Sequence, residues 1–243
     1  MRIAILSDIH GNFLALERVL ADAHSARVDQ FVCLGDVAYG GAQPREALRR
    51  VKELNCPVVM GNTDEFLLKV PTPDSGSEND LRIVDIALWS IPQLARADIE
   101  FIKSFQPRIE ISLTQNQKLL CYHGSPQSNE EIILAATPDE ELTKKLGDDR
   151  AAVMAGGHTH TQMFRRFQHS ILINPGSIGM PFQRDASRKQ SRPPFAEYAI
   201  LNADGDALAI EFRRVAVDVD AIARAIRESG MPHAEKLANE WEN

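Results

Sequence analysis

Positive charge is scarce and dispersed in this sequence: 27 Lys and Arg against 34 Asp and Glu over 243 residues give a formal net charge of −7. Without a long basic block, a nucleic-acid polymer is an unfavourable partner. Cysteine is rarer still. Cys33, Cys56 and Cys121 lie far apart, odd in number and without a CxxC, each in or beside an apolar segment. Buried free thiols fit that pattern better than a disulfide framework or a zinc ribbon, and they point to a reducing, cytoplasmic compartment. No apolar run approaches the length of a membrane span, and the four apolar residues between Arg2 and Ser7 are too few for a signal peptide. Several motifs are missing as well. Neither G-x-x-x-x-G-K-[ST] nor G-x-G-x-x-G stands between a strand and a helix. Pro175 occupies the place where G-x-S-x-G would need glycine, and His158-Thr159-His160 runs into "TQMF" with no nearby Asp-His.

What is present is ordinary in bulk: 44% hydrophobic and 25% charged residues, enough for one large core, so the expectation is one domain over 1–243. Short apolar runs at 2–7, 30–34, 57–60, 119–122, 152–155 and 171–173 predict strands. Between the first two, Phe13, Leu16, Leu20 and Ala23 recur at helical spacing. Pro44 suits a first helical turn, with Ala47, Leu48, Val51 and Leu54 continuing a second stripe. Later segments change character: "IEISLTQNQKLLCYHG" predicts a hairpin turning at Gln115-Asn116, and "EYAILNADGDALAIEFRRV" another near Asp204-Gly205. The fold class expected is therefore α/β with mixed sheets. Residues 71–79 and 183–194 read as exposed loops. The segment from Asp220 to the C-terminus reads as helical, packing on its own core or on a partner, so a homo-oligomer stays open.

The informative pattern is how the strands end. The first ends in Asp8-Ile9-His10, the second in Gly35-Asp36, the third in Gly61-Asn62-Thr63-Asp64. Two later ones end in His123-Gly124 and in Gly156-Gly157-His158-Thr159-His160. In α/β sheets the carboxyl ends of strands open onto the usual ligand crevice. Two Asp, four His and one Asn would meet there, oxygen and nitrogen donors that suit borderline divalent ions. Taken singly, Asp36 and Asn62 would be turn residues. His24, His169 and His233, with no motif around them, read as hydrogen-bonded core residues. Five successive strand ends of this kind are another matter, because so many converging polar groups would be costly without an ion.

In order, "SDIHGN", "LGDVAYGG", "GNTD", "YHGSP", "GGHTH" and "NPGSIG" resemble the sequence blocks of the calcineurin-like metallophosphoesterases, closest to small prokaryotic members with an Asn-Pro-Gly-Ser segment. The resemblance implies a four-layer αββα sandwich and a hydrolase working through a binuclear metal centre and a bridging hydroxide. Asp8, His10 and His160 would hold one ion; Asn62, His123 and His158 the other; Asp36 would bridge them. Manganese, iron, zinc or nickel would fit, manganese being favoured. Two divalent ions outweigh Asp8, Asp36 and a hydroxide, so the centre would attract phosphate. Asp36, Asn62, Thr63 and His123 are the residues expected nearest the chemistry. Asn12 is divided between loop support and phosphate contact. One departure stands out. Many relatives carry histidine where this chain has Thr63, and a threonine hydroxyl is no general acid near neutral pH. Asp64 would then serve as a helix cap or loop residue. The expected substrate is a small phosphorylated molecule, such as a phosphodiester, nucleotide or phosphoanhydride. A serine/threonine protein phosphatase is the enzymatic alternative. The alternative from another class is a silent scaffold of the same fold, as one eukaryotic retromer subunit is. Arg184, Arg188, Lys189 and Arg192 in 183–194 suggest either a solvated loop or a flap for a polyphosphate chain.

Overall fold

In the computed structural model, which describes residues 1–72, 75–184 and 190–242, the first strand, β1 (Arg2–Leu6), is apolar on both faces. Ile3 and Ile5 pack in one hydrophobic cluster and Ala4 and Leu6 in another. A strand covered on both sides reads as a continuous apolar run, which is why the sequence announces it. β1 leads through α1 (Phe13–Ser25) to β2 (Gln30–Cys33), parallel to β1. Then follow α2 (Pro44–Glu53), α3 (Asn62–Leu68), α4 (Glu78–Ser90) and α5 (Arg96–Lys103). The hairpin β3 (Ile109–Ser112) and β4 (Lys118–Cys121) comes next, with α6 (Asp139–Leu146), β5 (Val153–Ala155), β6 (Met163–Phe167) and β7 (Ser170–Asn174) after it. The chain closes with β8 (Gln183–Arg184), β9 (Gln190–Ser191), the long hairpin β10 (Phe195–Asp204) and β11 (Ala207–Ala216), then α7 (Val219–Glu228) and α8 (Ala234–Glu242).

Two mixed sheets result, ordered β11-β10-β1-β2 and β3-β4-β5-β7-β6. Ile3, Ile5, Val32 and Leu34 from the first meet Leu119, Cys121, Val153, Ala155 and Ile173 from the second in a sealed inner layer. The outer face of the first sheet packs on α1, α2, α7 and α8. Leu120, Met154 and Leu172 on the outer face of the second pack on Leu142 and Leu146 of α6. This is the αββα layering the resemblance implied. α1 and α2 present the stripes expected of them; Pro44 sits in the first turn, and Asn12 caps α1, its Oδ1 accepting from Ala15 N at 3.1 Å. Cys33 and Cys121 are buried free thiols, and Cys56 is half-buried and free. No helix among the described residues is long and apolar enough to cross a membrane.

Some expectations need correction. The run 57–60 forms only isolated bridges, Val58 to Cys33 and Val59 to Gln106. Pro57 has no N–H to extend the ladder, and Gly61 already caps α3. β6 has no clear sequence signal, because "MFRRF" hides a strand behind two arginines. α3, α5 and α6 are only 7 or 8 residues long, too short for periodicity to declare, and half-exposed Leu81 and Leu88 blur the stripe of α4. Within 183–194, β8 pairs with β9 and Arg192 is largely buried, so the segment is not simply an exposed loop. Arg188 and Lys189 lie outside the described residues. His24 and His169 are exposed, not core residues, and His233 is half-buried against Asp85. The C-terminal helices pack on the chain's own core through Ile222, Ile226, Leu237 and Trp241.

Candidate metal centre

Parallel pairing levels the strand ends. Leu6 lies opposite Cys33 in one sheet, and Cys121, Ala155 and Ile173 line up in the other. The residues that follow each strand therefore emerge on one rim. There the backbone turns sharply: Asp8, His10, Asp36, His158 and His160 all adopt left-handed φ between 48° and 67°. Nine non-glycine residues among those described do so, and five of them are the carboxylates and imidazoles expected from the strand ends. Such conformations cost on the order of 1–3 kcal/mol each and cluster at functional sites. Two glycines allow the close packing. A Cβ on Gly61 would stand 2.1 Å from Asp36 Oδ1, and one on Gly157 would stand 2.1 Å from Ser7 Oγ and 2.8 Å from Asp8 Oδ2.

The side chains form two donor sets that share one carboxylate. In the first, donor atoms of Asp8, His10, Asp36 and His160 all lie within 4.8 Å of one another. His160 Nε2 is 3.2 Å from Asp8 Oδ1 and 3.0 Å from His10 Nε2. In the second, Asn62 Oδ1 lies 3.1 Å from both His123 Nε2 and His158 Nδ1. Asp36 Oδ2 faces both sets, 3.6 Å from His10 Nε2 and 3.4 Å from His123 Nε2. All seven residues singled out from the sequence as metal ligands thus come together.

Backbone carbonyls decide which ring nitrogens face inward. His10 Nδ1 reaches Tyr39 O at 3.0 Å, His123 Nδ1 reaches Leu34 O at 2.7 Å, and His160 Nδ1 reaches Met180 O at 2.9 Å. A ring that donates from Nδ1 presents a lone pair at Nε2, the tautomer a metal ligand needs. Two such lone pairs 3.0 Å apart, on His10 and His160, oppose each other. Asp8 Oδ1 beside them is buried with no hydrogen-bond donor. That arrangement is costly unless a cation lies among the three atoms. The residues present therefore fit a divalent ion.

Among the protein groups alone, burial holds His10 down to about 4 despite Asp36 and Asp8. Burial lowers His158 too, helped by the neighbouring His123. His123 goes the other way: burial works against its charge, but Asp36, Asp8 and the Leu34 carbonyl outweigh it and lift the ring to about 10. Asp36 is correspondingly held well below the usual carboxylate range, burial being overcome by His123 and His10.

Thr63 is buried beneath Asp36; its N–H donates to Asp36 Oδ1 at 2.9 Å and its own Oγ1 has no partner. Asp64 does cap α3, as expected, but it also accepts from Asp36 N at 2.8 Å and Val37 N at 2.9 Å, besides Gly61 N at 3.1 Å. Burial and the charge of Asp36 raise it to about 7. Asn12 caps α1 and donates to Gly179 O, which favours loop support. The "NPGSIG" turn wraps the end of β1: Ser177 Oγ donates to Asp8 O at 2.8 Å, and Gly179 N to the same oxygen at 2.9 Å. The carbonyls of Leu34, Tyr39 and Met180 escape sequence reading, since no side-chain identity marks a carbonyl that orients a ring.

Comparison with known proteins bears on the family and the fold. A family model for the calcineurin-like phosphoesterase superfamily domain matches residues 1–206. An uncharacterised protein of Methanocaldococcus jannaschii is 28% identical over 247 residues, covering 95% of this chain and 93% of that protein. The crystal structure of a metallophosphoesterase from Sphaerobacter thermophilus superposes with a TM-score of 0.78 at 27% identity, covering 100% of this chain and 98% of that one. A hypothetical protein from Pyrococcus horikoshii shares the fold at a TM-score of 0.79 and 19% identity, with coverage of 98% and 97%. The chain belongs to the calcineurin-like phosphoesterase superfamily.

Proposed function

We propose that this protein is a cytoplasmic, metal-dependent phosphoesterase, one catalytic domain over 1–243, acting on small phosphorylated molecules, with nucleotides among the candidates. The observation that carries this reading is the position of Asp36, whose Oδ2 stands between a ring nitrogen of each donor set. Asp8, His10 and His160 would hold one divalent ion, Asn62, His123 and His158 a second, with Asp36 common to both; manganese is the favoured ion. When bound, a pair of such ions supplies positive charge to phosphate oxygens and acidifies water.

The chain's own groups do the rest. The backbone carbonyls behind His10, His123 and His160 keep these rings aimed at the rim. Thr63 Oγ1, buried and without a partner, supplies no proton for a leaving group. Asp64 cannot substitute as the acid, since it is fully buried and occupied by three backbone N–H groups. General acid catalysis is worth about 10²–10⁴-fold, so its absence favours substrates with acidic leaving groups: phosphoanhydrides, aryl esters and activated diesters. Hydrolysis of a nitrophenyl phosphodiester with added Mn²⁺ tests the reading. Activity should appear with the metal, vanish with chelator, and fall steeply across a series of phenyl esters as the leaving group becomes more basic. No hydrolysis with any of manganese, iron, zinc or nickel would refute the enzyme, and equal rates on alkyl and aryl esters would refute the missing acid.

A further inference from the structure

We infer that Arg192 and Glu240 are positioning residues for the metal centre, fixing His160 through the carbonyl of Met180, so that α8 is part of the site's support. The inference rests on the metal reading above, but it concerns residues that no motif marks. Glu240 also lies beyond the stretch that the family model matches.

The Met180 carbonyl has two lone pairs, and both are taken. His160 Nδ1 occupies one at 2.9 Å; Arg192 Nη1 donates to the other at 2.9 Å and reaches Pro181 O at 3.4 Å. The opposite edge of the guanidinium is gripped by α8. Nε and Nη2 both donate to Glu240 Oε2, at 3.2 and 2.8 Å, and Arg192 N donates to Glu240 O at 3.0 Å. Arg82 of α4 stands 3.6 Å from the other oxygen of Glu240. The Arg192 side chain is only 12% exposed, so its contacts are little screened by solvent. α8 is itself anchored in the core by Leu237, Ala238 and Trp241.

The other side of the same residue is tied as firmly. Met180 N donates to Ser177 Oγ at 2.8 Å, and Ser177 Oγ donates to Asp8 O at 2.8 Å. Met180 is therefore clamped between the end of β1 and the C-terminal helix, presenting its carbonyl to His160. A planar guanidinium can span Met180 O and Glu240 at once, which a single ammonium cannot. Supporting hydrogen bonds of this kind set ring orientation and typically change metal affinity about 10–100-fold when lost.

The test compares Mn²⁺ titration calorimetry of the wild-type chain, Arg192→Met, Glu240→Gln and a control, Arg227→Ala. Arg227 joins α7 to α8 through Glu235 and Glu242 without approaching Met180. The affected site is identified as the one that His160→Ala abolishes. Arg192→Met should weaken that site about tenfold or more, with the other within about twofold. Glu240→Gln, which keeps the size of the side chain, should give a smaller loss at the same site, and Arg227→Ala none. Without added metal, the Nδ1 proton resonance of His160 should move in Arg192→Met and Glu240→Gln but not in Arg227→Ala. If Arg192→Met does not fold, Glu240→Gln and the proton resonance carry the test. Equal losses at both sites, unchanged affinity in both variants, or an equal effect from Arg227→Ala would overturn the inference while leaving the metal reading intact. A wild-type chain that takes up no ion would overturn both.

Discussion

The two donor sets differ in a way that matters for an ion. Asp8, His10 and His160 bring a carboxylate of their own besides the shared Asp36, and Asp8 and His10 are almost wholly buried. Asn62, His123 and His158 bring, besides Asp36, only donors that are neutral when they hold metal; His123 is fully buried, and Asn62 and His158 are half-buried, as His160 is. The first set is the more charged; the second presents an amide where the first presents a carboxylate. From this we expect unequal ions, one held tightly as a structural partner of β1, the other exchanging more readily and facing substrate. A shared Asp36 would couple them.

The comparison breaks hardest at the shared residue. Asp36→Asn keeps the shape but removes the one charge common to both sets. Activity should fall by about 10³-fold or more, in keeping with losses seen when a group acting on the transition state is removed. Both metal sites should weaken together in calorimetry; loss at one site alone would show that Asp36 is not shared. The next effect is asymmetric. Asp8→Asn should cost the first site about 10–100-fold in Mn²⁺ affinity, and Asn62→Ala should cost the second less, because a neutral amide contributes less to a hard cation than a carboxylate. Equal losses would remove the asymmetry.

The smallest effect lies far from the rim. Asp22 on α1 accepts from Tyr198 Oη at 2.6 Å and from Arg213 Nε and Nη2 at 3.0 and 2.9 Å, tying α1 to β10 and β11. The Arg213 hydrogen bond lowers the carboxyl's pKa against the effect of burial, with Tyr198 adding to it. A folded-state value below the unfolded one gives stability that is present above about pH 4 and is lost as pH falls through the folded value. Asp22→Asn should therefore cost about 1–2 kcal/mol in denaturant unfolding at pH 7, with the difference shrinking in acid and activity at neutral pH little changed. A pH-independent difference would show that the carboxyl's charge is not what ties the helix.

How much of this was legible beforehand follows the physics. β1, β4 and β5 could be read because strands buried on both faces leave uninterrupted apolar runs, and the candidate ligands could be read because they follow those runs directly. α3, α5 and α6 could not, being too short for their periodicity to register, and β6 was masked by Arg165 and Arg166. In the site, the side chains that converge on the rim were legible, yet what orients them was not. The Tyr39, Leu34 and Met180 carbonyls act through backbone, and Arg192 reaches Met180 from a segment that read as a solvated or phosphate-binding loop.

The most direct test of the central claim is anomalous scattering from a crystal grown with Mn²⁺. Two ions about 3.5–4 Å apart are expected. Asp8, His10 and His160 should lie on one, Asn62, His123 and His158 on the other, and Asp36 should touch both. A single ion with Asn62 and His158 turned away, or no ion at all, would contradict the account.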